Sequence, residues 1–195
     1  QSCTDMNDLT DKYLDEGEIV YAAKVDSVGV RAGENRIQLD IYVKAQRVEN
    51  LRVYWNNYED SVDVEIGGKT GVFPVILDDM PESGYLFQLV SFDKFGNRSL
   101  EYEATGSSYG ENYKNGLSNR SYTTEFTRYD MEGDSMVIYW GGTVRGAIGM
   151  DLQYTDISDK TVRMEVPADA STTTLYKLKG NVSYNLRFLP EENAI

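Results

Sequence analysis

The sequence predicts an all-β protein built of two tandem β-sandwiches, and three observations carry that prediction. From residue 18 onward, short runs alternate apolar with polar side chains, the period-two pattern of strands that bury one face. Clusters of turn-forming residues separate these runs at roughly 8 to 12 positions, the spacing of sandwich strands. A tyrosine opening a long apolar strand occurs twice, at Tyr85 and Tyr184, 99 positions apart (184 minus 85). That interval suits two units of about 100 residues each.

The elements follow in order. "EIVYAAKVDSVGVRAG" reads as an extended first strand with a break near Gly29. "NRIQLDIYV" sets Ile37, Leu39, Ile41 and Val43 on one face, and "NLRVYWN" follows the polar turn "AQRVEN". "SVDVEI" places Val62, Val64 and Ile66 together, Gly67 and Gly68 turn the chain, and "TGVFPVIL" returns; Pro74 in that strand, lacking an N–H, calls for a sheet edge or a bulge. In "YLFQLVSFDKFGNRS", Tyr85, Phe87, Leu89 and Ser91 point one way and Leu86, Gln88, Val90 and Phe92 the other. "DKFGN" reverses the chain with Gly96 free to take positive φ, and "RSLEYEATG" closes the unit. Tyr85, a few residues after a turn proline, fits a tyrosine corner, whose hydroxyl bonds back to the upstream backbone.

The second half repeats the scheme as "RSYTTEFTRYD", "SMVIYWG", "IGMDLQYTD", "KTVRMEVP", "TTTLYKL" and "SYNLRFLP". Tyr184 takes the place of Tyr85, and the spacing of Leu178, Gly180 and Tyr184 matches the leucine-turn-tyrosine pattern of fibronectin type III modules. Trp140 falls where those modules carry a buried tryptophan; Ile41 stands there in the first unit, and Trp55 has moved to the next strand. The expected fold is therefore a pair of immunoglobulin/fibronectin type III-like sandwiches, 18–106 and 119–195. The second lacks its last strand, since the sequence stops at Ile195 after "LPEEN". An unpaired edge is expected there, and with it a natural chain that continues. Residues 107–118, within "SSYGENYKNGLSNR", form a linker that Tyr109, Tyr113 and Leu117 make apolar enough to dock.

Composition narrows the function. Nineteen basic and 32 acidic residues leave a net charge of −13, which repels a polyphosphate chain, so nucleic acid is not an expected partner. Histidine is absent, which removes the commonest general base and metal ligand. Serine–histidine and cysteine–histidine catalysis are excluded with it. No apolar run approaches the ~20 residues of a membrane helix. The single cysteine, Cys3, cannot form an internal disulfide. Its place after Ser2, ahead of an acidic stretch over residues 1–17, looks like the start of a mature bacterial lipoprotein: Cys3 would carry the lipid and the stretch would serve as tether.

Several stretches together resemble one family: Cys3 with "GEIVYAAKVDSV", then "GENRIQL", "YWNN", "YLFQLVSFDKFGNRS", the linker "YGENYKNGLSNR" and the terminal "LRFLPEENAI". They are similar to the domain of unknown function at the N-terminal end of Bacteroides-type surface lipoproteins, over nearly the whole chain and most specifically in the linker. The resemblance implies an outer-membrane, surface-exposed protein, membrane-bound only through Cys3, in a family associated with polysaccharide capture and often followed by carbohydrate-binding or discoidin-like modules. It brings no catalytic or binding residue with it. "LDIYV" departs from relatives that carry a tryptophan after the second-strand arginine, which concerns packing.

The expected function is a non-catalytic spacer or scaffold for glycan-handling modules; the alternative is direct carbohydrate binding. For the latter, "YWNNYEDS" supplies flat aromatic faces beside amide and carboxylate groups through Trp55, Asn56, Asn57, Tyr58 and Asp60, against the plainer reading of a core tryptophan and a hairpin turn. A groove using Tyr109, Tyr113 and Arg120 is the second option. Asp130, Glu132 and Asp134 in "YDMEGDS" offer oxygens for calcium but lack the EF-hand spacing, so neither metal nor cofactor is expected. The expected partners are a polysaccharide or other surface proteins, including one that donates a strand to the free terminal edge.

Overall fold

The computed structural model describes residues 20–127 and 134–195. The tether with Cys3, and the turn residues Asp130 and Glu132, lie outside them. The chain divides into two compact units, one holding the described residues up to Arg31 with Arg36–Ser108, the other Ala32–Asn35 with Tyr109–Ile195.

In the first unit, β1 (Ser27–Gly33), β2 (Arg36–Val43) and β5 (Gly71–Leu77) form one sheet in the order β1-β2-β5. The strands β3 (Val48–Trp55), β4 (Asp60–Glu65), β6 (Ser83–Asp93) and β7 (Tyr102–Ser108) form another in the order β4-β3-β6-β7. This is a seven-strand sandwich of the immunoglobulin/fibronectin type III kind. Alternation places its core: Ile37, Leu39, Ile41 and Val43 of β2 are fully buried, packed with Leu51, Val53, Phe87 and Leu89 of the facing sheet. Pro74 lies opposite Asp40 on β5, the edge strand of its sheet, where its missing N–H breaks no ladder. The first strand differs from expectation. It starts only at Ser27 and runs unbroken through Gly29, because residues before it make single bonds rather than a ladder, Ala22 N–H to Arg98 O and Asp26 N–H to Tyr42 O.

The β6–β7 turn owes its shape to one carboxylate. Asp93 accepts hydrogen bonds from the Asn97 side chain at 2.8 Å and from the backbone N–H groups of Phe95 and Asn97 at 2.9 and 3.0 Å, while Gly96 takes φ 84°. The Asn97 side chain, aided by these backbone donors, holds the Asp93 carboxyl below the usual aspartate range. A depressed native value means the contribution is present above the unfolded pKa and is lost as pH falls through the native one. In a carboxyl-carbon NMR titration, Asp93 should titrate below an aspartate in an unstructured peptide, and Asn97→Ala should move it up toward that reference.

In the second unit, α1 (Glu111–Asn115) precedes β8 (Tyr122–Thr127), β9 (Asp134–Trp140), β10 (Ala147–Asp156), β11 (Thr161–Val166) and β12 (Thr172–Phe188), in the order β11-β10-β12-β9-β8. Two predicted strands, "TTTLYKL" and "SYNLRFLP", are one continuous strand here. Residues 172–178 of β12 pair with β9, and residues 178–188 pair with β10. The changeover is a bulge at which Lys177 adopts φ 55°, the kind of irregularity by which a strand passes between layers. Met136, Ile138 and Trp140 of β9 meet Met150, Leu152 and Tyr154 of β10 in the core. Among the described residues no strand pairs with the far edge of 182–188, and no helix is long and apolar enough to cross a membrane.

Only the first tyrosine corner forms: Tyr85 donates to Pro81 O, four residues upstream, at 2.7 Å. Tyr184, inside the continuous strand β12, donates instead to Arg120 O at 2.5 Å and ties that strand to the segment before β8; burial pushes both phenols above their ordinary pKa.

Candidate functional site

The "YWNNYEDS" stretch is the β3–β4 hairpin. Trp55, paired with Asp60 at the end of the ladder, is half-buried against the first core. Asn56, Asn57 and Tyr58 follow with φ of 50°, 53° and 66°. Asparagine tolerates this left-handed region; tyrosine does so less readily, at a cost on the order of 1 kcal/mol. Local bonds hold the turn: Asn56 Nδ2 donates to Asp60 at 2.6 Å, and Glu59 N–H to Asn56 O at 3.1 Å. The Tyr58 ring lies 5.3 Å from that of Tyr54, and its hydroxyl donates to Glu101 at 2.9 Å. That bond to a carboxylate, with some burial, raises the Tyr58 pKa.

Beside the turn, Asn56, Asn57, Leu86 and Gln88 border a hollow of about 190 Å³. The Oε1 atom of Gln88, on a side chain only 9% exposed, has no hydrogen-bond partner, which is uncommon for a buried polar atom. Gln88 drew no notice in the sequence, where it is one polar residue on the outer side of a strand. Its burial comes from β6 being flanked by β3 and β7, whose Tyr54 and Glu103 stand opposite it.

Tyr109 and Tyr113 come together in the second unit, ring centroids 5.1 Å apart. Tyr109 donates its hydroxyl to Glu191 at 2.9 Å, its N–H to Gly33 O and its carbonyl accepts from Asn35. Burial first, then the Glu191 bond, raises its pKa. With Leu117, Leu186 and Phe188 the two rings line a hollow of about 470 Å³, on whose rim Lys114 pairs with Glu34. Arg120 is not part of that lining. It is 4% exposed and its guanidinium donates to four carbonyls, those of Gly141, Gly142, Ala168 and Ala170. Such an arginine holds loops and offers nothing to a ligand. Nor does a metal cluster form: no group of three or more histidine, cysteine or acidic residues could hold an ion among the described residues.

One surface carries no hint in any single motif. Tyr122, Thr124 and Phe126 share the inward face of β8, and with Ile138, Trp140 and Tyr184 they line an open groove of about 260 Å³. Tyr122 and Phe126 are 53% and 57% exposed. The signal was the alternation of "YTTEF".

No curated protein matches the chain. Among solved structures it is similar to the chicken CNTN1 FN1-FN3 domains, at 14% identity and TM-score 0.43 over 85% of this chain and 58% of that one. A two-module fibronectin type III segment of chicken tenascin is 18% identical, TM-score 0.34, covering 84% and 89%. Chitinase ChiA74 from Bacillus thuringiensis is 13% identical, TM-score 0.37, covering 83% of this chain and 28% of the enzyme. The chain thus spans 58% of the CNTN1 fragment and a smaller share of the chitinase. The model of the DUF4998 family, described as a domain of unknown function, matches residues 3–195, and the chain belongs to that family.

Proposed function

We propose that the chain is a non-catalytic spacer or scaffold, anchored to the outer membrane through a lipid on Cys3 and presenting glycan-handling modules at the cell surface. One observation supports this reading above others: the side chains best suited to a ligand are spent on the fold. Trp55 packs on a core, Tyr58 and Tyr109 are tied to Glu101 and Glu191, and Arg120 is caged by carbonyls. The test is a reporter fused after Ile195 and expressed in a bacterium that sorts lipoproteins outward. Antibody staining of intact cells should fall at least threefold when residues 18–195 are deleted with Cys3 kept, and vanish for Cys3→Ala. Equal staining with and without residues 18–195 would remove the spacer role.

Direct glycan recognition, the second reading, draws on the unpartnered Gln88 Oε1 beside Asn56 and Asn57. Sugar hydroxyls would supply the missing donor. Affinity electrophoresis through a panel of polysaccharides separates the two. The spacer gives no retardation by any gel; recognition gives retardation that Asn57→Gly, which removes a side chain bordering the hollow while keeping the positive φ of the turn, abolishes.

A further inference from the structure

The hollow beside the β3–β4 turn is built from complete parts of the first unit. Its walls are the turn, through Asn56 and Asn57, and β6, through Gly84, Tyr85, Leu86 and Gln88. The strands behind it, β3 and β6, are each paired on both sides, so neither offers an edge for more chain. Every lining residue is uncharged in a protein of net charge −13, which favours a neutral ligand. At about 190 Å³ the hollow falls below the ~300 to 1,000 Å³ of sites that enclose a drug-sized molecule. It suits one sugar residue, or one arm of it.

Three side chains there differ in what they ask of a ligand. Gln88 Oε1 is an acceptor without a donor, on a side chain 9% exposed. Asn57 is exposed at the turn with φ 53°, its neighbour Asn56 being engaged by Asp60. Leu86 is 43% exposed, an apolar side chain on the outer face of the sheet. One acceptor, one amide donor and one apolar surface are complementary to the N–H, the carbonyl and the methyl of an acetamido group. A sugar hydroxyl can answer the two polar groups but leaves Leu86 in water.

We propose that this hollow seats the acetamido group of an N-acetylated sugar residue. Its N–H donates to Gln88 Oε1, which a rotation of the Gln88 terminal amide brings to the ligand, a change of the size that side chains ordinarily make on binding. Its carbonyl accepts from Asn57 Nδ2, and its methyl covers Leu86. The proposal rests on the second reading above, direct glycan recognition, and narrows it from sugars at large to one class. Burial of a methyl contributes about fourfold in affinity and an amide hydrogen bond several-fold more, so an acetamido sugar should bind about ten times more tightly than its plain counterpart.

The probes are the methyl glycosides of N-acetylglucosamine and N-acetylgalactosamine, those of glucose and galactose, and N-acetylglycine methylamide, which carries the same group on a peptide. Each is titrated into isotope-labelled protein. The side-chain amide signals of Asn57 and Gln88 should move with the acetamido glycosides at a millimolar Kd, and with the plain glycosides at least tenfold more weakly. Two substitutions should each abolish the Gln88 shift while keeping the dispersed spectrum of a folded chain. Asn57→Asp keeps the side-chain shape and tolerates the same φ but replaces the donor with an acceptor. Gly84→Val fills the rim, where an added Cβ meets no atom within 4 Å. Equal binding of plain and acetamido glycosides, or shifts that survive both substitutions, would overturn the acetamido seat and leave direct recognition standing. A response to the methylamide as strong as to the sugars would overturn it in favour of a peptide ligand. No response to any sugar would remove direct recognition itself, and the seat with it.

Discussion

Arg120→Ala should unfold the second unit at temperatures where the first stays folded. The side chain is 4% exposed, and its five hydrogen bonds run from Nε to Gly141 O and Gly142 O, from Nη1 to Ala168 O and Ala170 O, and from Nη2 to Gly141 O, at 2.6 to 3.2 Å. It thereby joins the β9–β10 turn to the β11–β12 turn. Truncation leaves four carbonyls in search of donors at about 1 to 3 kcal/mol for each that water fails to reach. A net loss on the order of 4 kcal/mol is expected, comparable to the loss of one partner of a buried charged pair and a large share of the ~5 to 15 kcal/mol that holds a small domain together. Arg120→Lys should recover at most half, because an ammonium cannot reach two turns at once with a planar fork. Tyr184→Phe, which removes only the 2.5 Å bond to Arg120 O, should cost about 1 kcal/mol. The chain has two tryptophans, one in each unit, so Trp140 fluorescence in a Trp55→Phe background follows the second unit alone during urea unfolding. An Arg120→Ala midpoint within experimental error of its parent would show that the carbonyls are satisfied without the guanidinium.

The strands that were legible are those whose two faces meet different surroundings. In β2, Ile37, Leu39, Ile41 and Val43 are all fully buried and the residues between them are not, so period-two alternation states the answer directly. β6 obeys the same alternation less faithfully. Val90, on the outer side, is as buried as Phe87, whereas Leu86, on that same side, is 43% exposed, because a strand with neighbours on both sides has its outer face partly roofed by their side chains. Arg120 was legible as a residue to watch and illegible in its role. Its acceptors lie 21 to 50 positions away, and no local pattern announces a cage of backbone oxygens. The same holds for the bulge at Lys177: a lysine gives no warning of φ 55°, so one long strand was read as two. The short helix α1 escaped for the opposite reason, since five residues are too few to display a helical period. For the ligand question, aromatic and amide side chains in sequence showed which residues have suitable chemistry. They could not show that hydrogen bonds to Glu101 and Glu191 had already engaged two of them.

Trp140→Ala should be the second large effect, a loss of about 3 to 5 kcal/mol from the second unit. The indole is 8% exposed, its Nε1–H donates to Thr173 Oγ1 at 2.8 Å, and its ring meets those of Tyr184 and Tyr122 edge-on at 5.1 and 6.1 Å. Burial dominates, with the aromatic contacts adding about 0.5 to 1.5 kcal/mol. Trp140→Phe separates the two kinds of loss. It keeps a ring in the core but leaves the Thr173 hydroxyl, itself 8% exposed, without its donor, at about 1 to 2 kcal/mol beyond the change in packing. Adding Thr173→Val to Trp140→Phe should then restore part of the stability, which Thr173→Val alone, stranding the indole N–H instead, should not. Trp55→Ala in the first unit should cost about half of Trp140→Ala, because Trp55 is only half-buried at the end of its strand and Ile41, fully buried, holds the position that Trp140 holds in the other sandwich. Urea unfolding followed by far-ultraviolet circular dichroism, with Trp55 fluorescence marking the first unit, measures each term; a Trp140→Ala loss below about 1 kcal/mol would mean that the groove beneath β8 already leaves this indole in water.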